Sequence, residues 1–220
     1  MARALRLAHR GDWRHAPENS LAAMQAALAN PRCDGLEFDV RGSREGLPIL
    51  LHDGTLDRVQ GRPGPPGALS ISELTEAGIP TLADVLAAAG PTPFLDVELK
   101  GEPVPDVVPV LEAARGTALA RTVVSSFEPE TLAWLGDRRP GWPRWLNAMD
   151  LGRPTLDRAV GLGCSAISVE WHAIGAAGVA RAASMGLEVA AWTVRRRPTA
   201  RRLERLGVVA MCVEAAALDG

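Results

Sequence analysis

The sequence has no tyrosine and almost no lysine. Its 24 basic residues include one lysine, Lys100, and all the others are arginine. Such a bias towards arginine is typical of a GC-rich genome, and it removes lysines that arginine can replace. The remaining lysine therefore either survives by chance on the surface or serves a site that needs a compact ammonium group, which the planar guanidinium of arginine cannot imitate. Composition alone leaves both interpretations open.

The sequence also lacks the features of secreted, membrane-spanning and nucleic-acid-binding proteins. No apolar run approaches the roughly 18 residues that span a bilayer, and strand-like residues follow Met1 without a signal peptide. The formal net charge of −2 provides no basic field for nucleic acid or for an anionic membrane. Cys33, Cys164 and Cys212 form no CxxC pair, which predicts buried thiols in a reducing compartment. We therefore expect a cytoplasmic protein, either a monomer or a homodimer.

The 220 residues, 47% of them hydrophobic, predict one domain over residues 1–220. Short strand-like runs alternate with alanine-rich amphipathic segments. The predicted strands are Leu5–His9, Gly35–Val40, Pro93–Leu99, Arg121–Ser126, Arg144–Ala148, Ala166–Val169, Leu187–Thr193 and Val208–Val213. Eight strands separated by helices predict an α/β fold, the (β/α)₈ TIM barrel, with a doubly wound open sheet as the alternative. The last helix is expected to be very short or missing.

One segment, residues 41–80, interrupts this alternation. Leu47–His52 reads as an extra strand, and residues 61–67 form a loop rich in glycine and proline. At about 40 residues the segment is too long for a simple connection. We interpret it as a small insertion after the second strand, placed where it can shape access to a site at the carboxyl ends of the strands.

Charged side chains alternate with apolar ones in two of the predicted strands. Glu37 and Asp39 share one face of LEFDV, and Asp96, Glu98 and Lys100 share one face of LDVELK. Carboxylates that point into a barrel repel one another and are costly to desolvate, unless a cation lies between them. An all-oxygen site built from Glu37, Asp39 and Glu98 suits Mg²⁺ or Ca²⁺. The alternative is an ordinary strand with its polar face in solvent.

Two histidines each end an apolar run. His9 is followed by Arg10, and His52 is followed by Asp53. A single histidine after a strand is most often structural. Two of them beside a metal site and a solitary lysine indicate a general acid and base.

These motifs together resemble one family. HRGDWRHAPENS, GLEFDV, LPILLHDGTLDR, IPTL, ELK, SSF and AWTV, from about Leu5 to Val194, are similar in order and spacing to glycerophosphodiester phosphodiesterases. The resemblance implies a TIM barrel with a small insertion and one divalent cation, Mg²⁺ or Ca²⁺. It also implies a small-molecule substrate, a glycerophosphodiester, hydrolysed to glycerol 3-phosphate and an alcohol.

The resemblance also implies a role for individual residues. It makes Glu37, Asp39 and Glu98 metal ligands, His9 and His52 acid/base catalysts, Arg10 and Lys100 phosphate-binding groups, Trp192 a pocket-lining residue, and Glu18 and Asn19 supporting residues. We expect Asp53 to support its neighbour His52 in the same way. We assign the base to His9 and the acid to His52. The nucleophile is either water or the neighbouring hydroxyl of the substrate's glycerol.

The last two strands depart from the family pattern. The family usually has Asn after WTV and an acidic residue at the end of the eighth strand, whereas Arg195, Arg196 and Arg197 follow Val194 here, and Glu214 is the candidate for the acidic position. We interpret the basic run 195–205 as a solvated helix face.

Three other activities are alternatives for this sequence. They are a lysophospholipase D type reaction on lysophospholipids, non-catalytic binding of a phosphate ligand, and aldolase chemistry through a Schiff base at Lys100. The carboxylates on the same strand face as Lys100 would keep its amine charged and poorly nucleophilic, which disfavours the aldolase.

Overall fold

The protein is a closed parallel barrel in the computed structural model, which describes residues 3–220. The strands are β1 Leu5–His9, β2 Gly35–Gly42, β3 Pro48–Leu50, β4 Phe94–Leu99, β5 Thr122–Ser126, β6 Arg144–Ala148, β7 Ala166–Glu170, β8 Glu188–Val194 and β9 Ala210–Val213. Eight of them are parallel neighbours, and the barrel closes because β1 pairs with both β2 and β9. The short β3 pairs antiparallel with the end of β2. The predicted TIM barrel is confirmed, and the open sheet is wrong.

Helices surround the barrel. They are α1 Leu21–Leu28, α2 Asp57–Gln60, α3 Ile71–Glu76, α4 Leu82–Ala89, α5 Val107–Arg115, α6 Pro129–Arg138, α7 Arg153–Gly161, α8 Ala176–Ser184 and α9 Arg197–Leu206. Ser20 caps α1, and Thr81 with Asp84 forms a capping box at α4. After β9 the chain makes a short 3₁₀ turn, Ala215–Ala217. Within residues 3–220 no helix has the length and apolarity to cross a membrane.

The insertion differs in detail from its prediction. β2 continues to Gly42 instead of ending at Val40, because its last residues pair with β3. β3 itself is Pro48–Leu50 and not Leu47–His52, so His52 lies beyond the strand. The inserted segment has its own small apolar core, formed by Ile49, Leu51, Leu56, Leu74 and Ile79. This core holds the insertion against the carboxyl end of β2.

The barrel interior changes from apolar to polar along its axis. The amino end is filled by Leu7, Val123, Trp145, Ala166, Ala190 and Ala210. Side chains on one face of a strand recur every second residue. His9 therefore follows Leu7 on the inner face of β1, and Ser125 follows Val123 on the inner face of β5. The opposite faces, such as Leu36 and Phe38 of β2, are buried under the helices. The polar layer therefore lies above an apolar floor, at the carboxyl ends of the strands.

Gly35 allows β2 to approach β4 closely. A Cβ atom at this position would lie 1.9 Å from the carbonyl oxygen of Phe94. We expect Gly35→Ala to lower the free energy of unfolding by about 1–3 kcal/mol, as overpacked cores do, in urea titrations followed by circular dichroism. Gly161→Ala is the control, because nothing lies within 4 Å of a Cβ there. Equal midpoints for the two variants would contradict the close packing of β2 on β4.

Candidate functional site

Three carboxylates meet where β2 and β4 run side by side. Asp39 pairs in register with Glu98, and Glu37 lies two residues earlier on the same face. One oxygen from each of the three side chains lies within 4.8 Å of the others. Glu37 is 3% exposed, Asp39 is 1% exposed and Glu98 is 7% exposed. The interpretation of these strands as solvated polar faces is therefore wrong.

This cluster holds more negative charge than its surroundings neutralise. Burial, followed by repulsion from Asp39 and Glu98, raises the pKa of Glu37 well above its usual range. Burial also raises the pKa of Glu98 and of Asp96, each to about 7. In the described part of the chain, Oε1 of Glu37 and Oδ1 of Asp39 are buried without a hydrogen-bond partner. Buried oxygens normally have partners, so the residues present fit a hard divalent cation.

Two cations border the cluster. Nζ of Lys100 lies 2.5 Å from Oε1 of Glu98 and 3.3 Å from Oδ1 of Asp39, and Nε of Arg10 lies 3.2 Å from Oδ2 of Asp39. Burial lowers the pKa of Lys100, but attraction to Asp39 and Glu98 outweighs it and the net change is upward. The single lysine is thus a half-buried ammonium ion in the site. An aldolase-type Schiff base is disfavoured, because a protonated amine is not a nucleophile.

His9 is held by residues from the end of the barrel. Its Nδ1 lies 2.5 Å from Oε1 of Glu214, and Nε of Arg195 donates to Oε2 of the same carboxylate at 2.6 Å. Burial opposes ionisation of Glu214, but the bonds from His9 and Arg195 lower its pKa overall. Because the carboxylate accepts from Nδ1, the other ring nitrogen, Nε2, faces the cluster, 3.8 Å from Oε2 of Glu37.

His52 is held in a parallel manner by the insertion. Its Nδ1 lies 2.7 Å from Oδ1 of Asp53, and Nε of Arg58 donates to Oδ2 at 2.6 Å. The Arg58 bond, with a smaller contribution from His52, lowers the pKa of Asp53 to about 2. Burial lowers the pKa of His52, which makes its protonated form a stronger acid. Each histidine is thus oriented by a carboxylate that an arginine holds in turn.

The supporting residues lie directly behind these groups. Nδ2 of Asn19 donates to Oδ2 of Asp39 at 2.9 Å, and the Asn19 carbonyl oxygen, Oδ1, accepts from the Asp39 backbone. Glu18 accepts hydrogen bonds from both Arg10 and Arg58. The two residues therefore join the carboxylate cluster to the arginine behind His52.

A pocket of about 420 Å³ opens above the cluster, and we call it the reaction pocket. All of the sequence-predicted side chains except Asp39, Asn19 and Asp53 line it. Asp39 contacts the lining residue Arg10, the backbone NH of Asn19 donates to the carbonyl oxygen of Arg10, and Asp53 contacts His52. Trp192 forms one wall, with Phe127 edge-on at 5.4 Å between ring centroids. Trp13 and Phe127 at the rim are 42% and 37% exposed. The arrangement combines a buried carboxylate cluster, two oriented imidazoles and positive charge in one space.

Sequence reasoning missed several residues of this pocket. Arg58 belongs to the quoted motif LPILLHDGTLDR, so its position six residues after His52 was a usable signal. Arg195 was recognised only as a departure from the family pattern, and Glu214 only as a candidate for the acidic position. Trp13 and Phe127 belong to the quoted motifs HRGDWRHAPENS and SSF, but an aromatic residue in a loop carries no signal for a pocket.

A (β/α)₈ barrel with polar groups gathered at the carboxyl ends of its strands has the architecture of an enzyme. The model of the glycerophosphoryl diester phosphodiesterase family matches residues 9–218. The chain belongs to this family.

Curated relatives agree with the family assignment. The chain is 33% identical over 112 residues to a glycerophosphodiester phosphodiesterase of Caldanaerobacter subterraneus, covering 44% of this chain and 46% of that protein. It is 28% identical over 144 residues to human glycerophosphodiester phosphodiesterase 1, covering 57% of this chain and 43% of that protein. The chain thus spans less than half the length of these two relatives.

Solved structures share the fold. An Oleispira antarctica phosphodiesterase, solved in complex with the product sn-glycerol-3-phosphate, has a TM-score of 0.82 and 24% identity, covering 95% of this chain and 92% of that one. A glycerophosphodiester phosphodiesterase from Thermotoga maritima has a TM-score of 0.80 and 21% identity, covering 100% and 97%. At this level of identity they show the barrel alone.

Proposed function

We propose that this protein is a metal-dependent phosphodiesterase that hydrolyses glycerophosphodiesters to glycerol 3-phosphate and an alcohol. The observation that carries the proposal is the buried Glu37, Asp39 and Glu98 cluster, in one pocket with two oriented histidines. Membership of the family and the activity named for its relatives support the same reaction.

The three clustered carboxylates would hold one Mg²⁺ or Ca²⁺. Both are hard ions that prefer oxygen ligands, and the cluster offers neither thiolate nor imidazole. When bound, the ion supplies positive charge where negative charge develops on the phosphoryl oxygens. It would also give a partner to Oε1 of Glu37, which has no hydrogen-bond partner among the described residues.

The remaining groups would bind the phosphate and move protons. Lys100 and Arg10 provide fixed positive charge beside the reacting phosphate and thereby stabilise the more highly charged transition state. His9, as base, takes a proton at Nε2 from water or from the neighbouring glycerol hydroxyl. His52, as acid, gives a proton to the departing alkoxide. Glu214 and Asp53 keep both imidazoles in the required tautomer.

The experiment that tests this function is a substrate panel. We expect purified protein with Mg²⁺ or Ca²⁺ to release glycerol 3-phosphate from glycerophosphodiesters, and EDTA to stop the release. Binding of glycerophosphodiesters without any turnover would favour the non-catalytic alternative. Full activity in EDTA would reject the role of the metal.

Lysophospholipase D type activity is the second candidate, favoured by the exposed rings of Trp13 and Phe127 at the pocket rim. An acyl chain could lie on such a surface. The same panel therefore includes lysophosphatidylcholine. Faster release of choline from this lipid than from glycerophosphocholine would assign the lipid as the substrate.

We further propose a cytoplasmic location. Cys33, Cys164 and Cys212 are all free, and the last two are buried, which fits a reducing compartment. Whether the protein is a monomer or a homodimer stays a prediction for light scattering to test.

The carboxylate cluster predicts that the metal ion stabilises the fold more at high pH. Burial raises the folded-state pKa of Asp96 and of Glu98 to about 7, from ordinary values of 3.8 and 4.5. Their stabilisation is therefore complete below about pH 4 and is lost as the pH rises through 7. An ion removes this loss, because it binds the deprotonated cluster. We expect the rise in Tm on adding Ca²⁺ to EDTA-treated protein to be about 5–10 °C larger at pH 8 than at pH 5. An equal rise at both values would contradict the proposed proton-linked site.

A further inference from the structure

A second cavity adjoins the reaction pocket. It has a volume of about 380 Å³ and is lined by Trp171, His172, Thr193, Arg195, Arg196 and Thr199. We call it the arginine pocket. It shares Thr193 and Arg195 with the reaction pocket, so a substrate bound at the carboxylate cluster can extend past Thr193 into it.

The arginine pocket has positive charge that its neighbours do not neutralise. Among residues 3–220, the Arg195 side chain bonds only to Glu214, through Nε, and it is 66% exposed. The exposed Arg196 side chain has no hydrogen bond or ion pair with any residue that the structure describes. The nearby carboxylate of Glu170 is already bonded to the backbone NH and the Nδ1 of His172, at 2.9 and 2.7 Å. Guanidinium groups are therefore free to bind an anion.

The charge of each arm of the substrate decides which arm would bind in the arginine pocket. The glycerol arm of a glycerophosphodiester carries only hydroxyl groups, so its charge does not favour this cavity. The alcohol arm differs between substrates. A phosphate or carboxylate on that arm matches the planar fork of a guanidinium, whereas a quaternary ammonium is repelled. Arg195 and Arg196 supply the two charges.

We propose that the arginine pocket selects glycerophosphodiesters whose alcohol carries a negatively charged group. This inference rests on the proposed function and names the substrate class for the same site. Arg196 is then a specificity-determining residue, because it lines the arginine pocket and does not line the reaction pocket.

The test compares three substrates that share the glycerophosphate moiety. They are glycerophosphoinositol 4-phosphate, the uncharged-ring analogue glycerophosphoinositol, and glycerophosphocholine. We expect kcat/KM to be about tenfold higher for the phosphorylated inositol than for the unphosphorylated one, in line with a charge-assisted hydrogen bond, and lowest for glycerophosphocholine. Arg196→Gln should remove most of the preference, because it lowers kcat/KM for the phosphorylated inositol far more than for glycerophosphoinositol.

The matched control is Arg201→Gln, which removes the same charge from an exposed position of α9 that lines neither pocket. It should leave the preference intact. Equal kcat/KM for the two inositol substrates, or an equal loss for all three in Arg196→Gln, would overturn the inference while the proposed function stands. No turnover of any of the three would contradict the proposed function, and this inference with it.

Discussion

Replacing Glu37 by glutamine is expected to lower kcat/KM by about 10³-fold, because a neutral amide is a poor ligand for a hard cation and the ion's charge stabilisation is worth several kcal/mol. The same substitution removes repulsion between Glu37, Asp39 and Glu98. We therefore expect the variant to have a higher Tm than the wild type in EDTA. Steady-state kinetics and scanning calorimetry measure the two effects.

The combination of lost activity and gained metal-free stability distinguishes a ligand from a merely structural residue. Glu188→Gln is the control, since Glu188 is an exposed residue at the first position of β8, and it should change neither quantity. A Glu37→Gln variant that keeps more than a tenth of the wild-type kcat/KM would contradict the role of Glu37 as a metal ligand.

Removing either histidine is expected to lower kcat by about 10²–10⁴-fold, the usual contribution of a positioned acid or base. The two variants should differ when the leaving group changes. p-Nitrophenolate leaves without needing a proton, so His52→Ala should recover most of its lost rate on the glycerophospho-p-nitrophenyl ester. His9→Ala should stay slow on both esters, because the nucleophile still needs a base.

His15→Ala is the matched control, because His15 is exposed and lies outside the reaction pocket. It should keep the wild-type rate on both esters. If the His9→Ala variant recovered its rate on the p-nitrophenyl ester and the His52→Ala variant did not, His9 would be the acid and His52 the base. Wild-type rates in both variants would reject acid/base catalysis by these histidines.

The barrel and the carboxylate cluster were predictable because they follow from local periodicity. Alternation in LEFDV and LDVELK places Glu37, Asp39 and Glu98 on one face of each strand, and parallel pairing brings the two strands together. A buried carboxylate trio without a counter-ion is costly, so the pattern itself indicates a cation. The retention of Lys100 follows from the same physics, since its ammonium group lies against this cluster.

The groups that orient the histidines were not predictable in the same way. Glu214 contacts His9 across 205 positions of the chain, and only closure of the barrel brings β9 next to β1. Arg195 looked like a solvated surface residue, because its sequence context is a basic run at the start of a helix. Arg195 bonds to Glu214 and lines both the reaction pocket and the arginine pocket. Both features depend on where the ends of β8 and β9 meet.

A crystal structure grown with Ca²⁺ tests the central claim most directly. The account requires one ion bonded to carboxylate oxygens of Glu37, Asp39 and Glu98 at about 2.3–2.6 Å, with Nε2 of His9 facing the same space. Crystals in which the three carboxylates bind no ion at millimolar Ca²⁺, or in which the ion binds at another place, would contradict it.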